Sequence, residues 1–268
     1  MRSLIGDRNV FATKRRVAGV VGEVFRLLPR PQAHGHRTLM YHSVGLEQNN
    51  TTVDGDTLGI YSMTLAQFTT QIDVIQASSK AKGVAIVPFG SLQRNSLSIT
   101  FDDGYIDALT VIAPLLCARQ IPFHVFVSSA RMNGTDRKYL SPAQVVELSN
   151  MPGVTIGAHG ATHRSLTSLS SLSTSELAAE LQASKVDLEA VLQKPVTTMS
   201  YPYGHVDESV RTAAHDAGFT FAATSKWGFN EASSDPLLQR RIDMWSGDTK
   251  RTVQNKILGH WNWFGLLT

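Results

Sequence analysis

Short apolar runs alternate with amphipathic helical segments along most of the chain, and this alternation restricts the fold more than any other feature. Runs at residues 38–44, 84–89, 97–101, 122–127, 154–158, 197–201, 219–223 and 237–242 read as strands. The intervening segments carry helix signals. Thr64-Leu-Ala-Gln67 has capping-box spacing, and Phe68, Ile72 and Ile75 follow on one helical face. Ser141-Pro-Ala-Gln144 opens a second helix with proline in its first turn. Residues 174–193 put Leu177, Leu181, Ser184, Leu188 and Val191 on one face, and a further helix runs from Asp207 to a stop at Gly218. Parallel strands need long crossovers, so strands that alternate with helices predict an α/β fold with a parallel sheet.

The chain divides into an N-terminal amphipathic helix with its linker, residues 1–37, and one domain, residues 38–268. Residues 10–28 predict an amphipathic helix, and Pro29-Arg-Pro-Gln-Ala-His-Gly-His36 follows as a linker. Glu23 and Arg26 interrupt the apolar stretch that a secretory signal would require, which predicts a cytoplasmic protein with weak membrane-surface contact through residues 10–28. Twenty-five basic against 22 acidic side chains leave a net charge of +3, too little for a dedicated nucleic-acid binder. Cys117, the single cysteine, excludes an intrachain disulfide and reads as helix core.

Three strand ends carry the chemistry. In Ser98-Ile-Thr-Phe-Asp-Asp-Gly-Tyr105 an apolar strand stops at two adjacent carboxylates and a glycine. Consecutive strand side chains face opposite ways, so Asp102 and Asp103 reach one site only where the strand turns, and Gly104 permits that turn. Val154-Thr-Ile-Gly-Ala-His-Gly-Ala-Thr-His163 ends a second strand with His159 and His163 at a spacing that suits chelation of a zinc-type cation. Two histidines and an aspartate make a three-ligand site with open positions. Thr198-Met-Ser-Tyr-Pro-Tyr-Gly204 ends a third strand in a rigid turn that can present a backbone N–H.

These stretches resemble the motifs of the polysaccharide deacetylase superfamily, also called NodB-homology or carbohydrate esterase family 4. Thr100-Phe-Asp-Asp-Gly104 matches its first motif and His159-Gly-Ala-Thr-His163 its metal-binding motif. The resemblance implies a distorted (β/α)7 barrel, here with short N- and C-terminal helical additions. It further implies Asp103, His159 and His163 as metal ligands, Asp102 as general base and the Tyr203 backbone N–H as oxyanion donor. The implied cofactor is one divalent ion, Zn2+ first, with Co2+, Ni2+ or Fe2+ as alternatives. The implied substrate is a carbohydrate bearing acetamido (or O-acetyl) groups, attacked by metal-activated water. Tyr105, Tyr201, Pro202 and Trp245 are the candidate sugar contacts. Ser200 stands where the family's third motif carries an arginine that orients the base, so Arg241, from Leu237-Leu-Gln-Arg-Arg-Ile242, takes that role in preference to Arg240. Asp243-Met-Trp245 approximates the fourth motif one residue short.

The general acid has three candidates. His42 ends the first strand, His260 lies in Leu258-Gly-His260 within an expected aromatic-rich helix over residues 256–264, and His205 directly follows the turn. His42 is preferred, because a strand end is more rigid than a terminal helix. His34, His36, His124 and His215 read as structural or solvated. Three competing readings remain: an amidohydrolase of the same fold acting on a non-sugar amide, an inactive sugar-binding relative, and a metal phosphoesterase.

Overall fold

In the computed structural model, which describes residues 35–45, 53–170 and 173–262, the strand ladder closes on itself. The strands are β1 (His36–Tyr41), β2 (Ser43–Gly45), β3 (Ser62–Thr64), β4 (Ala85–Ile86), β5 (Ser96–Phe101), β6 (Phe123–Val127), β7 (Val154–Ala158), β8 (Thr198–Ser200), β9 (Phe221–Trp227) and β10 (Gln239–Asp243). All pair in parallel in the order β1-β10-β9-β8-β7-β6-β5, and β1 also pairs β5 along its full length, which closes a seven-stranded barrel. β4 borders β5 outside the ring, and β2 and β3 form a separate two-stranded ribbon. The expected (β/α)7 architecture is therefore the observed one.

The helices are α1 (Leu65–Lys82), α2 (Ala113–Ala118, preceded by a π-turn), α3 (Ser129–Met132), α4 (Pro142–Ser149), α5 (Leu166–Ser170), α6 (Thr174–Leu192), α7 (Glu208–Asp216) and α8 (Lys250–Ile257). Thr64 and Ser141 close their capping boxes with Gln67 and Gln144, and Asp207 caps α7. Strand alternation divides the chemistry of the barrel. Leu39, Tyr41, Leu97, Ile99 and Phe101 join the apolar layer under the helices, where Tyr41 packs edge-on against Phe68 with centroids 5.3 Å apart. The opposite face is hydrogen-bonded: His36 Nδ1 lies 2.7 Å from Ser96 Oγ, and His124 Nε2 lies 2.9 Å from Thr198 Oγ1. Burial pushes these imidazoles down to about 4 and about 3, so both are neutral at physiological pH.

Two sequence expectations need correction. Cys117 is only partly buried, with Sγ 3.4 Å from the Pro152 carbonyl, so it lies at the rim of its helix and not in the core. The C-terminal helix ends at Ile257, because Gly259 takes a left-handed conformation (φ 82). The expected helix of residues 10–28 lies outside the described residues. No described helix is long and apolar enough to cross a membrane.

Candidate active site

The C-terminal strand ends converge on a cavity of about 580 Å³. β5 delivers Asp102 and Asp103 to it, β7 delivers His159 and β1 delivers His42. The two adjacent carboxylates share the site because Asp103 itself is left-handed (φ 78), which cancels the strand alternation, and Gly104 (φ 73) continues the turn. A Cβ on Gly104 would lie 3.2 Å from a Val127 methyl.

Asp102 is held from two strands, β10 and β8. Arg241 Nη1 and Nη2 donate to its two oxygens, each at 2.7 Å, and the Ser200 hydroxyl donates at 3.2 Å. Arg241 is itself fixed by donation to Ser200 Oγ at 2.8 Å and to the Thr224 carbonyl at 2.7 Å. Its side chain is 1% exposed and that of Asp102 4%. Burial alone would raise the Asp102 carboxyl, but the Arg241 charge and hydrogen bonds, with His159, hold it down at about 2. Ser200 is small, and this leaves the space through which the guanidinium enters from β10. Arg240 points elsewhere, to the Trp227 carbonyl.

Asp103, His159 and His163 present their ligand atoms within 4.8 Å of one another. Asp103 Oδ1 lies 2.8 Å from His163 Nε2 and 3.5 Å from His159 Nε2. His159 Nδ1 lies 2.8 Å from the Ser200 carbonyl, a contact that turns Nε2 toward Asp103. Two imidazole nitrogens and one carboxylate, with one ring held by an outer carbonyl, are a donor set that fits a zinc-type ion. Burial would raise the Asp103 carboxyl, yet the hydrogen bonds from the two imidazoles hold it well below the usual range.

His42 lines the same cavity. Its ring packs against Tyr61 with centroids 4.6 Å apart, and its Nδ1 is buried without a hydrogen-bond partner among the described residues. Burial lowers its pKa, while Asp102 and Asp103 pull in the other direction. His205 also lines the cavity, with Nδ1 3.0 Å from Ser165 Oγ. His260 does not; it lies on the turn after α8, beside the buried Trp261.

Of the expected sugar contacts, Tyr105, Tyr201, Pro202 and Trp245 are all buried and none lines the cavity. Tyr105 stacks on Tyr139 at 5.1 Å and accepts a hydrogen bond from the Asp54 N–H. Tyr201 donates to the Leu237 carbonyl at 3.0 Å. Trp245 joins Trp227 and Trp261 around the Lys256 ammonium, 3.7 Å from the Trp245 ring centroid, and so belongs to the core. Among the described residues the exposed large aromatic is Tyr203, left-handed at φ 60, with its ring 4.9 Å from that of His163.

Sequence reasoning missed three contributors. Residues 53–61 form one wall of the cavity through Asp54, Asp56 and Tyr61. Arg131 donates to Asp103 Oδ1 at 2.7 Å and faces Asp54 with its other nitrogen at 3.4 Å. Glu180 reaches the His159–His163 loop from α6. Of these, only Glu180 had a sequence signal: it is a charge on the face defined by Leu177, Leu181 and Ser184.

The polysaccharide deacetylase family model matches residues 90–222. The Bacillus subtilis protein YxkH, assigned to the polysaccharide deacetylases by name, is 26% identical over 130 residues, which span 48% of this chain and 44% of that protein. Among solved structures, the Streptococcus pyogenes deacetylase PplD in complex with acetate superposes with a TM-score of 0.70 at 18% identity, over 83% of this chain and 98% of that one. IcaB from Ammonifex degensii gives 0.69 at 19% identity, over 85% and 98%. The Bacillus cereus polysaccharide deacetylase BC0361 gives 0.66 at 22% identity, over 83% and 69%.

Proposed function

As the chain belongs to the polysaccharide deacetylase superfamily, hydrolases that act on carbon–nitrogen bonds, we propose that it removes acetyl groups from the amino groups of a carbohydrate. The observation that carries this reading is the buried Arg241–Asp102 pair directly beside Asp103, His159 and His163 in one open cavity. Amide hydrolysis without a covalent nucleophile needs an ionised base next to a Lewis acid, and this juxtaposition supplies both positions.

Asp103, His159 and His163 would hold one divalent ion, with zinc the first choice for two imidazoles and one carboxylate. When bound, the metal makes water more acidic and polarises the acetyl carbonyl. Asp102 takes the proton from water as the new carbon–oxygen bond forms, and the two Arg241 N–H groups keep its carboxylate ionised and fixed in rotation. The Tyr203 backbone N–H is assigned as donor to the developing oxyanion; one such donor is worth roughly 3 kcal/mol. His42 gives a proton to the departing nitrogen as the carbon–nitrogen bond breaks. The proton held by Asp102 then replaces the one His42 has given, so that water is divided between the two products, acetate and a free amino sugar.

Tyr203, exposed at the cavity mouth, replaces the four buried candidates as the sugar contact. The reading is tested by incubating the zinc-loaded protein with N-acetylated oligosaccharides and measuring free acetate. Acetate from wild type, and none from an Asp102→Asn variant that keeps its metal, supports it. Equal release from both variants contradicts it.

A further inference from the structure

The loop that carries both histidines includes two left-handed residues, Gly160 (φ 69) and His163 (φ 58). A non-glycine residue held there needs restraint from its surroundings. One side of the loop is tied to β6 and α3. His159 N–H donates to the Val127 carbonyl at 2.9 Å, and the Ala161 carbonyl accepts from Ala130 N–H and the Ser128 hydroxyl, each at 2.8 Å. On the other side the loop's backbone is hydrogen-bonded by the Glu180 side chain. Glu180 accepts the Thr162 N–H at 2.7 Å and lies 3.0 Å from the Thr162 hydroxyl through each of its oxygens.

This carboxylate is 8% exposed and forms no ion pair among the described residues. A buried charge without a cation is costly, and a purely apolar helix face would pack at least as well at this position. Its oxygen also occupies the space over Gly160, where a Cβ would lie 3.2 Å from Oε1 and 3.1 Å from the Pro202 ring. Glu180, Gly160 and Pro202 therefore interlock immediately beside the residue that precedes His163.

We propose that Glu180 is a positioning residue for the metal centre: by gripping Thr162 it sets the backbone that aims His163 at Asp103. The inference rests on the reading of Asp103, His159 and His163 as metal ligands. It concerns the shape of the loop and not the charge near the ion, and this separates the variants. Glu180→Ala loses every contact to Thr162. Glu180→Gln keeps an acceptor for the Thr162 N–H and hydroxyl while removing the charge.

The test is a chelator-competition titration of Zn2+ on the full-length protein and its variants. Outer groups that orient ligands are worth roughly 10- to 100-fold in metal affinity, and that loss is expected for Glu180→Ala, with Glu180→Gln within about threefold of wild type. A Glu180→Gln variant as weak as Glu180→Ala would overturn positioning in favour of simple charge. A Glu180→Ala variant that binds as wild type would overturn any role. Should Glu180→Ala not fold, Glu180→Met decides, because it keeps the length of the side chain and removes both acceptors from Thr162; weaker zinc binding supports the proposal and unchanged binding refutes it. Wild-type protein that takes up no zinc would instead refute the metal-site reading itself.

Discussion

Replacing Arg241 with glutamine strands a charge. Arg241 and Asp102 are buried to within a few per cent of full coverage and share two 2.7 Å hydrogen bonds. Breaking such a pair from one side costs about 3–5 kcal/mol, more than the pair contributes on balance, because the remaining ion keeps its desolvation penalty. For a domain of this size each kcal/mol lowers Tm by roughly 2–4 °C, so a drop of about 6–20 °C is expected by calorimetry at pH 7. The second variant isolates the cause. Asp102→Asn in the Arg241→Gln background removes the stranded carboxylate, and the amide can still accept from Ser200. The double variant should recover at least half of the lost stability and remain inactive. A single variant that melts within 2 °C of wild type, on this ~3–5 kcal/mol scale, would refute the buried-pair reasoning, as would a double variant that recovers nothing.

Asp107 is a buried carboxyl that accepts from the Ser43 hydroxyl and from Val44 N–H at 3.0 Å, and burial raises it to about 7. A raised carboxyl favours the folded state below the unfolded pKa near 4, and this contribution is lost as pH rises through about 7. Asp107→Asn should therefore be more stable than wild type at pH 8, by up to roughly 4 kcal/mol at 1.36 kcal/mol per pH unit, and no more stable at pH 4; denaturant melts across that range check the sign. His42→Ala should lower kcat about 100-fold or more and remove one limb of the pH–rate profile with zinc content unchanged, whereas His260→Ala should lower Tm and leave kcat near wild type. Gly204→Ala would place a Cβ 1.9 Å from Ser225 Oγ at a φ of 68, so about 1–3 kcal/mol of stability should disappear, with activity falling as the cavity wall shifts.

The parallel α/β order was legible because its strands are continuous apolar or alternating runs and several of its helices carry explicit caps, whereas closure into a barrel was implied only by the family resemblance. Thr64, Ser141 and Asp207 each mark a helix start within one residue. The Asp-Asp-Gly and His-x-x-x-His stretches were legible as chemistry because each follows directly from a strand end. Arg241 was harder: it is 139 residues from Asp102, and it was reached only through the family resemblance, in which Ser200 stands at the usual arginine position and a later strand supplies the guanidinium. The aromatic candidates went astray for a backbone reason. Tyr105, Tyr201 and Trp245 sit beside the motif turns, but those turns send their side chains behind the cavity wall, while Tyr203 with its positive φ is the one sent outward. Arg131 left no pattern at all, since a lone arginine in a four-residue helix looks like any surface cation.

The most direct test of the account is a paired product measurement on zinc-loaded protein with an N-acetylated oligosaccharide: free acetate by a coupled assay and new primary amine by a fluorogenic reagent. Deacetylation by the Asp102 site predicts the two in equal amounts with wild type, and neither above background with Asp102→Asn at full zinc occupancy. Acetate without matching amine would assign the activity to oxygen esters, and equal yields from both proteins would contradict the role given to Asp102.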